Sequence, residues 1–194
     1  MKASGLSLVL AGPMLRRLTA QRVTLWLAVR DPVRARLTLT CGEASPRSHA
    51  LEPGTAACRS LTAGDHLHYL LIDLALDEAL PYDRWIGYTL ALQPLTGGEE
   101  AWQDWSAWAP DLCYPGRSSP GFLLPRRVGA LLHGSCRKPH FPGRDGLLQA
   151  DRLLERCLAA DGAAHDATSS AQIADRELPA WPSALVLTGD QIYT

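Results

Sequence analysis

The chain has 194 residues, enough for one large domain or two small ones. Its hydrophobic fraction of 46% and charged fraction of 20% are ordinary for a globular protein. The formal net charge of −1 argues against a protein that binds nucleic acid by counterion release, because that mode needs a basic surface. No apolar run approaches the ~20 residues that a membrane-spanning helix requires.

The N-terminal segment has some features of a signal peptide, since Lys2 precedes an apolar stretch. However, the Arg16-Arg17 pair follows that stretch instead of preceding it, and no A-x-A-like cleavage site is present. We therefore predict a first β-strand at residues 6–11 and a cytoplasmic location. The odd number and wide spacing of the cysteines also favour thiols in a reducing compartment: Cys41, Cys58, Cys113, Cys136 and Cys157.

The first two-thirds of the chain has the alternating pattern of β-strands. Runs at 22–30, 34–40, 67–74 and 84–92 are separated by segments predicted as loops, including 45–54 and 95–99. Alternation predicts these inward faces: Val23, Leu25, Leu27 and Val29; Ala35, Leu37 and Leu39; Ile86, Tyr88, Leu90 and Leu92. Strands of this length and spacing predict an immunoglobulin-like antiparallel β-sandwich.

A segment rich in Pro, Gly and aromatic residues follows at 104–125. It is predicted to be a connector that packs down, because large aromatic side chains favour burial: Trp105, Trp108, Tyr114 and Phe122. The resulting boundary near Arg126 divides the chain into domains 1–126 and 127–194.

The second domain has a strand–helix–strand pattern. An apolar run at 128–132 is followed by Asp145, which can cap a helix, and by Gly162, which can end it. The helix repeats apolar residues at helical spacing: Leu147, Ala150, Leu154, Cys157 and Leu158. A polar stretch at 163–175, read as a loop or frayed helix, precedes a second strand at 182–188. This order predicts a βαβ unit with parallel strands.

Residues after two parallel strands meet at one edge of the sheet, where α/β proteins bind ligands. Cys136 follows the first strand, Asp190 the second, and Tyr193 lies three residues further on. Thiolate, carboxylate and phenolate donors suit a Lewis-acidic transition metal. The alternative is structural: Cys136 as a small buried side chain, Asp190 as a helix cap and Tyr193 as part of the core.

The segments Gly134-Ser135-Cys136-Arg137 and Gly189-Asp190-Gln191-Ile192-Tyr193 resemble the PhoD-like (alkaline phosphatase D) branch of the calcineurin-like metallophosphoesterases. The GDxxY element is also found in purple acid phosphatases, and the opening segment 12–17 is similar to the family's N-terminal sandwich. The resemblance implies a ferric ion held by Cys136 and Tyr193, with Asp190 bridging to a second ion, often calcium. It implies phosphomonoester or phosphodiester substrates, and Arg137 could contact a phosphate oxygen or form a surface salt bridge.

In the family that this chain resembles, further Asn, His and Asp ligands would follow Tyr193, whereas the sequence stops at Thr194. We therefore expect this chain to be a truncated part of such an enzyme, with little or no phosphatase activity by itself. The alternative is a β-sandwich interaction or scaffold module that retains a vestigial catalytic segment.

Two other patterns have structural and functional interpretations. His66 and His68 would share the face of a strand, more simply a solvent face than a metal site. Trp102, Trp105 and Trp108 recur every three residues. They favour a packed seam between the two domains over a platform for stacking bases or sugars.

Overall fold

The computed structural model describes residues 5–42, 44–96, 101–136, 145–166 and 181–189. The chain divides into two compact units, Met1–Leu124 and Pro125–Thr194. The described residues are mainly β-strand, and all strand pairs of the first unit are antiparallel. Within the described residues, neither helix has the length and apolar character of a membrane-spanning segment.

The described strands, in chain order, are β1 (Val9–Thr19), β2 (Arg22–Val29), β3 (Val33–Cys41), β4 (Arg47–Leu51), β5 (Cys58–Gly64), β6 (Leu67–Ala75), β7 (Trp85–Pro94), β8 (Gln103–Asp104), β9 (Gly121–Leu123), β10 (Leu131–Gly134) and β11 (Ala184–Leu187). The α-helices are α1 (Trp105–Trp108) and α2 (Gly146–Asp166), and a short 3-10 turn spans Pro110–Leu112.

The first unit contains two antiparallel sheets. One has the strand order β1-β2-β6-β5, and the other has the order β4-β3-β7-β8, with β9 also paired to β7. Both sheets contribute to one hydrophobic cluster. The predicted inward faces of β2, β3 and β7 are confirmed, since Val23, Leu37 and Leu90 are fully buried and their alternating neighbours are buried with them. Burial of this apolar surface is the main force that holds the first unit together.

The edge strands differ from the prediction. The strand expected at 6–11 is β1, which begins at Val9 and continues to Thr19. The segment 45–54, predicted as a loop, contains β4, and β5 was not predicted. In β4 burial alternates, but the half-buried residues Arg47 and His49 are polar, and β5 has one buried residue followed by six exposed ones. Neither strand therefore shows an alternation of apolar and polar residues in its sequence.

The segment predicted as a connector is part of the first unit's sheet, because β8 and β9 both pair with β7. Phe122 is buried and stacks on Tyr88, with ring centroids 6.0 Å apart. The predicted burial of Trp105, Trp108 and Tyr114 is wrong in degree, since all three are only half-buried. Trp105 and Trp108 lie in the four-residue helix α1 and Tyr114 follows the 3-10 turn, and neither of these short elements contains a buried residue.

The tryptophans predicted to form a seam make contacts inside the first unit. The guanidinium of Arg36 lies over the Trp102 ring, 4.3 Å from its centroid. Trp108 packs against the first unit's hydrophobic cluster and donates its indole N–H to the Gln103 carbonyl at 3.4 Å. Both tryptophans therefore make their contacts within the first unit.

The prediction that His66 and His68 share a solvent face is wrong. His66 lies in the turn before β6 and is exposed, whereas His68 is only 5% exposed. His68 lies on the same side of β6 as the buried Leu70 and Ile72, and its Nδ1 is 3.0 Å from the Thr62 hydroxyl. The register of β6 against β2 sets this face, because His68 pairs with the buried Val29.

In the second unit β10 and β11 pair in parallel, with partners running from Leu131–Ala184 to Gly134–Leu187. The helix α2 lies between them in sequence. The first strand is shifted from the predicted 128–132, and Val128 is exposed. Alternation does not decide the bounds of so short an apolar run.

The predicted N-cap of α2 is confirmed, because the Asp145 carboxylate accepts a hydrogen bond of 3.0 Å from the Leu147 N–H. The predicted end at Gly162 is wrong, since the helix continues to Asp166. A glycine costs only about 1 kcal/mol inside a helix, and the alanines around it favour continuation. The rest of the predicted polar stretch, 167–175, lies outside the described residues.

Candidate functional site

The site is built at the carboxyl ends of β10 and β11, where two side-by-side strands deliver their next residues to one edge. The pairing continues past the strands, because Thr188 donates its N–H to the Gly134 carbonyl at 3.1 Å. His133 Nε2 and the Thr188 hydroxyl share a second hydrogen bond of 2.8 Å. These two bonds align the segments that leave the sheet.

The segment after β11 touches the segment after β10. A Cβ placed on Gly189 would lie 2.5 Å from the Cys136 nitrogen and 2.5 Å from its sulfur, and it would also clash with the Ser135 hydroxyl. Real Cβ atoms do not approach so closely, so Gly189 is the residue type that allows this contact. Gly189 and the Ser135-Cys136 segment therefore meet in the folded chain at this point.

Cys136 has an unusual backbone and an accessible side chain. Its φ is 51°, a left-handed conformation that costs a non-glycine residue on the order of 1–3 kcal/mol. The residue is exposed, and its sulfur lies 3.2 Å from the Ser135 hydroxyl oxygen. The structural alternative for Cys136, a small buried side chain, is therefore wrong, because the side chain is exposed.

A cavity of about 530 Å³ opens between the strand pair and α2. Leu132 and Leu187 line it from the sheet, and Leu147 lines it from the helix. Its polar lining includes Cys136 and Asp145. The volume lies within the range of pockets that hold small molecules, and the mixture of apolar walls with a few polar groups is typical of such pockets.

The cysteines differ in their electrostatic surroundings. Burial, assisted by the Glu52 carboxylate, raises the pKa of Cys58 to about 11. Burial also raises the pKa of Cys113 and Cys157, although Arg117 and Arg156 respectively oppose the change. None of the five cysteines forms a disulfide, and Cys136 is the exposed member of the set. It is therefore the thiol best placed to meet a ligand from solvent.

Among the predicted site residues, the structure describes Cys136. Arg137, Asp190 and Tyr193 lie outside the described residues. The described residues contain no group of three His, Cys, Asp or Glu side chains that could hold a metal ion. What the structure does bring to Cys136 is Gly189, the residue that precedes Asp190 in the chain.

Four residues near the site were not given a site role from the sequence: His133, Ser135, Asp145 and Gly189. The signal for Gly189 was its position between an apolar strand and an aspartate, where a close approach of two turns favours glycine. His133 shares a hydrogen bond with Thr188, the residue before Gly189. Asp145 was predicted as a helix cap, and it both caps α2 and lines the cavity.

Comparisons with protein-family models, with curated proteins and with solved structures gave no match.

Proposed function

We propose that this chain carries part of the metal site of a phosphoric ester hydrolase similar to the PhoD-like phosphatases, with Cys136, Asp190 and Tyr193 as ligands. The observation that supports the proposal is the contact of Gly189 with Cys136. Asp190 is the next residue in the sequence after Gly189, so a carboxylate-bearing residue adjoins the glycine that contacts Cys136. The motif spacing and this contact favour the same pair of residues.

The architecture is compatible with the proposal. Two antiparallel sheets that share one hydrophobic cluster fit an immunoglobulin-like sandwich as the first domain. Two parallel strands with a helix between them in sequence fit the first βαβ unit of a metallophosphoesterase domain.

The donor set fits a pair of hard and borderline cations. A thiolate and a phenolate are anionic donors that suit ferric iron, and a carboxylate can bridge to calcium or another divalent ion. Bound there, such ions would supply Lewis acidity to phosphate oxygens and lower the pKa of a coordinated water. The exposed position of Cys136 and its place on the cavity wall leave its sulfur accessible for this role.

The chain's own residues would hold the ligands in place. The left-handed turn at Cys136 sets the position of the thiol, and Ser135 contacts the sulfur through its hydroxyl. The His133–Thr188 hydrogen bond holds the second strand beside the first. In this proposal Arg137 binds a phosphate oxygen of the substrate, because a guanidinium can form two parallel hydrogen bonds to phosphate.

Metal binding provides the test. Purified chain incubated with ferric iron and calcium, then desalted, should retain iron, with a visible phenolate-to-iron charge-transfer band. Cys136→Ser and Tyr193→Phe should each lower the retained iron at least tenfold, and Tyr193→Phe should abolish the band. Cys157→Ser is the matched control, because Cys157 is a half-buried thiol of the same unit. Iron retention that is unchanged in Cys136→Ser and Tyr193→Phe, or absent in the wild type, would contradict the proposal.

The same samples should be assayed with nitrophenyl phosphate. We expect hydrolysis to depend on added metal, because the bound ions would activate the water and bind the phosphate oxygens. Asp190→Asn should remove this metal-dependent part. Hydrolysis that persists fully in chelator would oppose a metal mechanism.

The alternative, a β-sandwich interaction module, gains support from the outer face of the first sheet. Trp26 and Tyr69 stack there with ring centroids 5.8 Å apart. Met14 is the registered partner of Trp26, Leu61 is the partner of Tyr69, and both are exposed. This candidate predicts that the chain retains no metal and that Cys136→Ser alters no binding property. The iron experiment therefore distinguishes the two functions.

A further inference from the structure

Two hydrogen bonds join the end of β10 to the residue that follows β11. The Thr188 N–H donates to the Gly134 carbonyl at 3.1 Å, and the Thr188 hydroxyl oxygen lies 2.8 Å from His133 Nε2. The first bond uses backbone atoms, so any residue except proline could form it at position 188. The second bond depends on the two side chains and is therefore a property of this sequence.

The strand register explains why these two side chains meet. His133 is the registered partner of Val186, and Thr188 lies two residues beyond Val186. Side chains two residues apart in a strand share a face, so the register places His133, Val186 and Thr188 on one face of the strand pair. The His133 ring reaches one step along this face to the Thr188 hydroxyl. Either neutral tautomer of the imidazole can form this bond, because a hydroxyl both donates and accepts.

The residues next to this side-chain bond are the ones that meet at the site. Gly189 follows Thr188 directly, and Cys136 lies three residues after His133. Their contact is tight, because a Cβ on Gly189 would lie 2.5 Å from the Cys136 sulfur. The groups of a functional site need to be held to within about 0.5 Å of their working positions, so even a small shift between these two segments matters. A backbone bond joins the segments at one point, and the side-chain bond is a second point that limits their movement.

We propose that His133 and Thr188 are positioning residues of the proposed metal site, and that their side-chain hydrogen bond sets its affinity for iron. The inference rests on the proposed function, since it needs Cys136 and Asp190 to bind the same pair of ions. Thr188 precedes Asp190 by two residues, so the bond constrains the segment that leads to the carboxylate. His133 and Thr188 do not bind the metal themselves. They act by holding the Cys136 segment and Gly189 in contact.

The expected effect is the loss of one hydrogen bond. Thr188→Val replaces the hydroxyl with a methyl group and His133→Ala removes the ring, and each should lower the iron affinity of the full chain about fivefold. Competition with a chelator measures this affinity. The double variant should lose no more than either single variant, because both changes remove the same bond. Thr188→Ser and His133→Gln should restore most of the affinity, since a serine hydroxyl and a glutamine amide can form the same bond.

Alkylation of the metal-free chain gives a second measurement that does not depend on iron. Iodoacetamide should modify Cys136 faster in Thr188→Val and in His133→Ala than in the wild type. The reason is that Gly189 would no longer be held against one side of the sulfur. Mass spectrometry of the peptide that contains Cys136 gives the rates.

Ser183→Ala is the matched control. The Ser183 hydroxyl donates to the Arg127 carbonyl at 3.2 Å, so it joins the chain before β11 to the chain before β10. This bond lies at the opposite end of the strand pair from Cys136. Its loss should change neither the iron affinity nor the alkylation rate of Cys136.

The two proposals fail in different ways. A wild type that binds no iron would overturn the metal site, and with it the role of the bond in iron affinity. Wild-type iron binding that persists unchanged in Thr188→Val and His133→Ala would overturn the role of the bond alone. An equal loss in Ser183→Ala would do the same, because it would reflect strand pairing in general. Additive losses in the double variant would also contradict the inference, since the two side chains would then act separately.

Discussion

The two units use apolar residues in opposite ways. In the first unit the inward residues of β2, β3 and β7 are almost fully buried in one cluster, as in the case of Leu37 at 0%. In the second unit the apolar strand residues remain open, with Leu131 and Leu185 about half exposed and a cavity of about 530 Å³ beside them. The first unit is therefore stabilised by its own core. The second unit has accessible groups near a strained cysteine, and these groups are where chemistry and binding can occur.

The largest expected effect comes from truncating one leucine in each unit. Leu37→Ala should lower the free energy of unfolding by about 2–5 kcal/mol, because it removes fully buried contacts and leaves a cavity. Leu185→Ala should cost about 1 kcal/mol or less, because that side chain is already half exposed. Urea unfolding followed by circular dichroism measures both changes. Equal costs would mean that the second unit's strands are packed as tightly as the first unit's core.

The second prediction compares a buried and an exposed cysteine. Burial raises the pKa of Cys58 from 9.0 to about 11, so the folded state keeps this proton more tightly than the unfolded state. The stability from the neutral thiol is fully present below pH 9 and is lost as the pH rises from 9 to 11, by up to about 3 kcal/mol. Unfolding free energies measured across this range should fall for the wild type. They should fall less in Cys58→Ala.

Alkylation of the thiols sharpens the same comparison. Iodoacetamide at neutral pH should label Cys136 while leaving Cys58 intact, because one side chain is exposed and the other is fully buried. Mass spectrometry of peptides gives the two rates. Labelling of Cys58 at the rate of Cys136 would show that the first unit opens readily. Burial also raises the pKa of Tyr88, so Tyr88 should contribute to the loss of stability at alkaline pH in the wild type and in Cys58→Ala alike.

A smaller expected effect than that of Leu37→Ala concerns the contact of Gly189 with Cys136. Gly189→Ala forces a Cβ against the nitrogen and sulfur of Cys136, so the second unit should lose about 1–3 kcal/mol and the turn should shift. Hydrogen exchange at residues 131–136 should become faster. Gly129→Ala is the control, since a Cβ there meets nothing within 4 Å. If both variants exchange like the wild type, Gly189 and Cys136 are not in contact in solution.

The interior strands of the first unit could be predicted from sequence because period-two alternation is the direct result of burying one face. In β3, Ala35, Leu37 and Leu39 face the core while Arg36 and Thr38 face outward. The edge strands could not be predicted in the same way. β5 has one buried residue, Cys58, followed by six exposed residues, so its strand conformation depends on pairing with β6 and leaves no pattern of its own.

In the second unit, too, features that depend on local sequence could be predicted, whereas features that depend on strand pairing could not. A local hydrogen bond fixes the start of α2 at Asp145, and a capping residue is visible in sequence. The position of Cys136 at the end of a strand also followed from the apolar pattern. Its left-handed backbone and its contact with Gly189 could not be predicted, because they depend on the register between β10 and β11. Side-chain burial of Trp105 and Tyr114 was overestimated for a similar reason, since residue type alone does not show what covers a ring.

Because Gly189 contacts Cys136, the surroundings of this thiol depend on a segment that is synthesised after it. Cys136 precedes α2 in the sequence, but the contact on one side of its sulfur comes from Gly189, which follows α2. A nascent chain that lacks β11 would present the same sulfur without the Gly189 contact. The reactivity of the Cys136 sulfur would therefore report whether β11 has paired with β10.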